Sequence, residues 1–150
     1  TYFYRIRKGE WNVLPKFVAY ISENEEEVLQ GLFMITEAAN ICDVDVDEVF
    51  TQFEEQISSY VELNWVPDYY SEQFGVDYCL RFLIELAVYH LRRQRYDTGF
   101  EWILRSLDKS IKVKSDTGFI KCVRVFEEFR HVASTNAQLE YSRIVKEVKT

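Results

Sequence analysis

The sequence predicts an all-α protein of six or seven antiparallel helices, and three observations carry that prediction. Glycine and proline number only five and two among 150 residues, whereas turn-rich β proteins need them at their corners. Apolar residues recur at three- and four-residue steps along most of the chain, which is the helical period. Apolar residues also make up 47% of the chain, with 16% aromatic, so amphipathic helices have a ring-rich core to cover.

The chain reads as one domain, residues 1–150, in three stretches: an N-terminal arm over 1–14, an acidic helical half over 15–78 and a second helical half over 79–150. Residues 2–13 are the least helical part, and Lys8-Gly9 is placed to turn a short hairpin or to belong to an extended arm. Pro15 suits the first position of a short helix reaching Ile21. Ser22 and Glu25 stand at the spacing of a capping box. The acidic run Glu23, Glu25, Glu26 and Glu27 suits the positive end of the helix dipole. Val28, Leu29, Leu32, Ile35 and Ala39 then form one apolar stripe ending near Asn40.

The next helix carries Val46, Val49, Phe50, Phe53, Ile57, Tyr60 and Val61 on one face, with Asp45 or Asp47 as its cap. Pro67 and Gly75 bracket a short helical turn through Tyr69, Tyr70 and Phe74. Cys79, Leu80, Leu83, Leu86, Ala87 and Leu91 define a long helix to about Gln94. Three more follow, over Thr98 to Ile111, Thr117 to Ala133 and Ala137 to Val148. Thr98 and Glu101 repeat the capping-box spacing. Asp-Thr-Gly-Phe occurs at 97–100 and again at 116–119, each time before a helical stripe, as a reused capping signal. Loops of two to six residues make most neighbours antiparallel.

Residues 86–108 resemble a tetratricopeptide repeat. Leu86-Ala87 stand for its Leu-Gly pair, Tyr96-Asp97 for its turn and Gly99 for the small residue where the second helix meets the first. Ile103 takes the aromatic site, and Ser106-Leu107 the closing Ala-Leu. The match covers one repeat of about 34 residues in a degenerate motif. His90 replaces a Tyr, and the closing Pro is missing. Ala137, Tyr141 and Ile144 repeat the second-helix spacing faintly. The resemblance implies a helical-hairpin array, with a closed helical bundle as the alternative. It also implies an adaptor that holds a peptide or partner helix in a groove faced by Arg81, Ile84, Val88, Leu91 and Arg92. The family's clamp for a terminal carboxylate needs Lys, Asn and Arg there, which the apolar Ile84 and Val88 do not supply.

Charge is segregated along the chain. Residues 1–16 carry four basic groups and one acidic, and residues 17–80 carry fifteen acidic groups and no Lys or Arg. Residues 81–150 carry fourteen basic and nine acidic groups, and the whole chain is −7. Like charges repel, so either the acidic half is offset by the basic half or it faces a basic partner. Asp43, Asp45, Asp47, Glu48, Glu54 and Glu55 are the candidate acidic face. Nucleic acid is not the expected ligand, because phosphate binding needs positive surface. Arg92, Arg93 and Arg95 are the dense basic cluster, at a helix C-terminus where cations complement the dipole. Trp65, Tyr69 and Tyr70 are candidate aromatic anchors.

Catalytic and metal chemistry find little purchase. Asp43, Asp45, Asp47, Thr51 and Glu54 match positions one, three, five, nine and twelve of a calcium loop. Glu48, however, stands where that loop needs Gly, and a helical stripe runs through it. His90 and His131 are too far apart in sequence, and Cys42, Cys79 and Cys122 too widely spaced, for a zinc motif. The cysteines read as buried free thiols of a cytoplasmic protein. His131 with Glu127 or Glu128 reads as a solvated helix face. No run of about 20 apolar residues can span a membrane. The expectation is a non-enzymatic protein-binding module without cofactor or metal. The alternative is an acidic inhibitor, immunity-type or DNA-mimicking, that blocks a basic toxin or nucleic-acid enzyme.

Overall fold

A computed structural model describes the backbone of residues 2–62 and 72–148, and among them the regular elements are all helices. In order they are α1 (Tyr2–Arg7), α2 (Leu14–Glu23), α3 (Val28–Cys42), α4 (Asp47–Gln52), α5 (Glu54–Glu62), α6 (Glu72–Arg92), α7 (Tyr96–Lys112), α8 (Asp116–Phe129) and α9 (Thr135–Val148). Three single 3₁₀ turns join them at 11–13, 25–27 and 130–132. Packing divides the chain into two compact units, Thr1–Phe82 and Leu83–Thr150, and the boundary falls inside α6.

In the first unit, the expected hairpin or arm is a helix. Ile6 of α1 is 1% exposed, and α1 packs on α2 and α3. Gly9 does turn the chain, but as a helix stop, with φ at +89°. The Gly9 N–H donates to the Ile6 carbonyl and the Glu10 N–H to the Arg5 carbonyl, the paired bonds that close a helix on a left-handed residue. Such a stop and a hairpin turn use the same glycine, so sequence alone does not separate them.

The Ser22–Glu25 capping box does not form. Ser22 lies in the last turn of α2, where its hydroxyl donates to the Val18 carbonyl at 2.8 Å. Instead α3 is entered through the 3₁₀ turn Glu25–Glu27. Val28, Leu29, Leu32, Ile35 and Ala39 are all buried. The helix expected over 46–61 is broken at Phe53 into α4 and α5. Thr51 donates to the Asp47 carbonyl at 3.2 Å, a back-bond that tends to bend helices, and Phe53 is buried at 3% exposure. Gly75 lies within α6, which begins at Glu72, and the rest of the helical turn expected after Pro67 lies outside the described residues. Tyr60 and Phe82 meet edge to face at 6.1 Å between ring centres.

The second unit takes the last turns of α6 with α7, α8 and α9. Here α7 packs against both α8 and α9. Gly99 lies against Leu91, where the end of α6 meets the start of α7. Gly99, Ile103 and Ser106 are buried on α7, and Ala137, Tyr141 and Ile144 are buried on α9. Phe126 of α8 stacks on Tyr141 at 3.8 Å between centres with the planes 5° apart, and meets Phe100 edge-on at 5.5 Å. The buried Ser106 and Ser110 hydroxyls donate to the carbonyls of Trp102 and Leu107, so their burial leaves no unmet donor.

The caps differ from the expected ones. Thr98 lies in the first turn of α7, and the residue before that helix, Arg95, makes no side-chain cap bond. Before α8 the cap is Ser115, one residue ahead of the second Asp-Thr-Gly-Phe, and its hydroxyl accepts from the Gly118 N–H at 3.1 Å. Ser134 does the same for the Ala137 N–H ahead of α9. In both copies of the tetrapeptide, Asp and Thr lie inside the first turn, where the acid suits the dipole.

Candidate functional site

The acidic candidates sit at one helix end and two helix starts. Asp43 follows α3 with φ at +57°, a left-handed position that Asp tolerates better than most residues. The Asp45 carboxylate accepts from the Asp47 N–H at 2.9 Å. Asp47 and Glu48 lie in the first turn of α4, and Glu54 and Glu55 in that of α5. All are exposed except the half-buried Asp47. Asp43, Glu48, Glu54 and Glu55 form no ion pair among the described residues. Positions five to ten of the calcium template, residues 47–52, are the helix α4, where the template needs an open loop turning at Gly. Among the described residues, no three His, Cys, Asp or Glu side chains are grouped to hold a metal.

The basic candidates have different immediate surroundings. Arg81 is exposed, with its guanidinium 5.8 Å from the Tyr78 ring centre. Arg93 lies 4.1 Å over the ring of Tyr89, which is 0% exposed, so Arg93 works as a lid on a core aromatic. Arg95 stands 6.0 Å from the same ring and 3.4 Å from His90 Nδ1. Arg92, the last residue of α6, is exposed and lines a furrow.

That furrow, of about 520 Å³, is the first of two relevant concave sites. Val88, Leu91 and Arg92 of α6 form one side, and Glu128, Phe129, His131 and Val132 at the end of α8 form the other, with Gln94 and Tyr96 at the α6–α7 turn. Leu91 is a floor residue at 1% exposure, while Val88 and Phe129 are half-buried and Arg92, Glu128 and His131 exposed. The furrow therefore has an apolar base and a rim of both signs. Of the groove residues the repeat resemblance implies, Val88, Leu91 and Arg92 line it. Ile84 is buried in the core of the second unit. Glu127, read with Glu128 and His131 as a solvated helix face, is exposed as they are; it lies 2.9 Å from Arg130 and bonds the Tyr141 hydroxyl. Burial first, then that bond, pushes the Tyr141 hydroxyl up to about 12.

The second concave site lies outside the residues the sequence marks as candidates. In the first unit, Tyr2, Phe3, Phe17, Tyr20, Ile21 and Met34 enclose about 560 Å³ between α1, α2 and α3, with Arg5, Glu27 and Gln30 among the lining groups. Its signal in the sequence was the density of rings in residues 2–20, which the arm reading left without a surface to line. Trp65, Tyr69 and Tyr70, the expected anchors, lie outside the described residues.

The three cysteines form no disulfide. Burial pushes the thiols of Cys79 and Cys122 up to about 12, which removes them from nucleophilic chemistry near neutral pH. No helix among the described residues is long and apolar enough to cross a membrane. The chain matches no family model, no curated protein and no solved structure.

Proposed function

We propose that the chain is a non-catalytic protein-binding module that holds a peptide or partner helix in the furrow between α6 and α8. The observation that carries the reading is the make-up of that furrow. It joins two helices that begin successive hairpins, α6–α7 and α8–α9, and combines an apolar base with Arg92, Glu128 and His131 at its rim. Such a surface suits a segment that buries a few apolar side chains and presents charges or backbone groups to the rim. The likeness to tetratricopeptide repeats supports it. Gly99, Ile103 and Ser106 on α7 and Ala137, Tyr141 and Ile144 on α9 are buried at the same spacing. A cytoplasmic site fits the three free thiols.

A second reading is an acidic inhibitor of a basic protein, favoured by the exposure of Asp43, Glu48, Glu54 and Glu55 without ion-pair partners among the described residues. Salt separates the two. Affinity through exposed acids falls steeply as ionic strength rises past about 0.1 M. Affinity through the furrow changes little over the same range, and a steep fall would reject it.

A further inference from the structure

The first unit holds a furrow with a chemistry of its own. Gly31 makes it possible: a Cβ there would stand 2.8 Å from Ile21 Cγ2 and 3.2 Å from Phe17, so its absence lets α2 seat on α3. Tyr2 and Phe17 meet edge-on at 6.1 Å along one side of the space. Tyr2 and Tyr20 keep 36% and 46% of their surface exposed, and Met34 adds a flexible apolar side chain that adapts to varied partners. An exposed apolar concavity lined by rings marks a place where something docks.

The charge around it selects what docks. Arg5 lines the furrow but is held by Glu10 at 2.9 Å. Glu27 also lines it, half-buried, and has no ion-pair partner among the described residues. Glu23, Glu25 and Glu26 are exposed just ahead of it. Across residues 1–42, which carry α1, α2 and α3, four basic groups stand against six acidic, a net of −2; Arg5 and Arg7 are held by Glu10 and Glu37, and four of the six acids lie together at 23–27. An apolar trough with acids gathered at one end suits an occupant that is apolar on one face and cationic on the other.

We propose that the furrow between α1, α2 and α3 docks an amphipathic basic helix of a partner protein. Its aliphatic face lies on Tyr20 and Met34, and its Lys or Arg side chains face Glu27 and the acids before it. The proposal rests on the reading of the chain as a binding module, but on a different furrow from that reading.

The test uses the full chain and a labelled helical peptide of Leu and Lys at helical spacing, followed by fluorescence anisotropy. The expected result is micromolar binding that Tyr20→Ser weakens about tenfold. Glu27→Gln weakens it less but flattens its salt dependence. Val88→Gln, in the other furrow, leaves it unchanged, as does the pair Glu54→Gln and Glu55→Gln. A Leu/Glu peptide of the same pattern does not bind. Because Tyr20 is exposed, its variant keeps the fold, and circular dichroism checks that. Four results each overturn the proposal: no binding; equal binding of the Leu/Glu peptide; loss on neutralising Glu54 and Glu55 with Tyr20→Ser silent; or a dimer in sedimentation that Tyr20→Ser dissociates, which would make a second copy the occupant.

Discussion

Gly99 lies so close to Leu91 that a Cβ at position 99 would stand 2.6 Å from Leu91 Cγ and 3.1 Å from the Leu91 backbone nitrogen. The second contact is with backbone, which cannot rotate away. Gly99→Ala should therefore overpack the α6–α7 crossing at a cost of about 1–3 kcal/mol. The better helix propensity of Ala returns about 1 kcal/mol of that. Denaturant unfolding should show a net loss, and a gain in stability would mean the two helices are free to move apart.

Among the described residues, three of the four left-handed helix stops are made without glycine. Asp43, Gln94 and Lys114 have φ of 57°, 62° and 59°, while only Gly9 is suited to its +89°. Lys114 is exposed and its N–H donates to the Ile111 carbonyl, so nothing but backbone conformation is at stake there. Lys114→Gly should stabilise the second unit by about 0.5–1 kcal/mol. The denaturation midpoint reports it, and a lower midpoint would contradict the assigned conformation.

Ser115→Ala should cost about 1 kcal/mol, because its hydroxyl caps α8 through the Gly118 N–H. Thr98→Ala should stay within about 0.5 kcal/mol, since Thr98 lies inside α7 and is exposed. Equal losses in the two variants would restore the capping box at Thr98–Glu101.

The thiols should divide on exposure. Cys42 is half-buried, while Cys79 and Cys122 are buried. With a thiol reagent at pH 8, the native chain should release one equivalent quickly and two only on unfolding. Both buried thiols have folded values raised from 9.0 to about 12. Below pH 9 folded and unfolded chains both keep these protons, so the neutral thiols' contribution is intact. Between pH 9 and 12 only the unfolded chain sheds them, so stability falls through that window. A stability curve flat across it would contradict the burial.

The helical period made most of the fold legible. Val28 to Ala39 and Cys79 to Leu91 placed their apolar faces correctly, because a stripe of aliphatic residues has one way to be buried. Caps were less legible. Ser22 and Thr98 had the right spacing to Glu25 and Glu101, yet a serine also bonds well inside a last turn, and the choice rests on where the chain bends. The N-terminal stretch was not legible, because Gly9 serves a helix stop as readily as a hairpin. Of the candidate site, Arg92, Val88 and Leu91 were reachable from the hairpin pattern. Glu128, Phe129 and His131 were not, since they reach the furrow only through the packing of α8. The place of Arg93 over Tyr89 was not legible, because it depends on a ring that sequence does not orient.

Peptide display against the immobilised chain, followed by affinity measurement on furrow variants, tests the central claim most directly. The leading peptide should lose about tenfold or more in affinity on Val88→Glu and on Phe129→Ser, keep it on Tyr20→Ser, and change little between low and high salt. A peptide whose affinity ignores Val88→Glu and Phe129→Ser, yet collapses when Glu48, Glu54 and Glu55 are changed to Gln, would contradict the account and move the binding site to the acidic face.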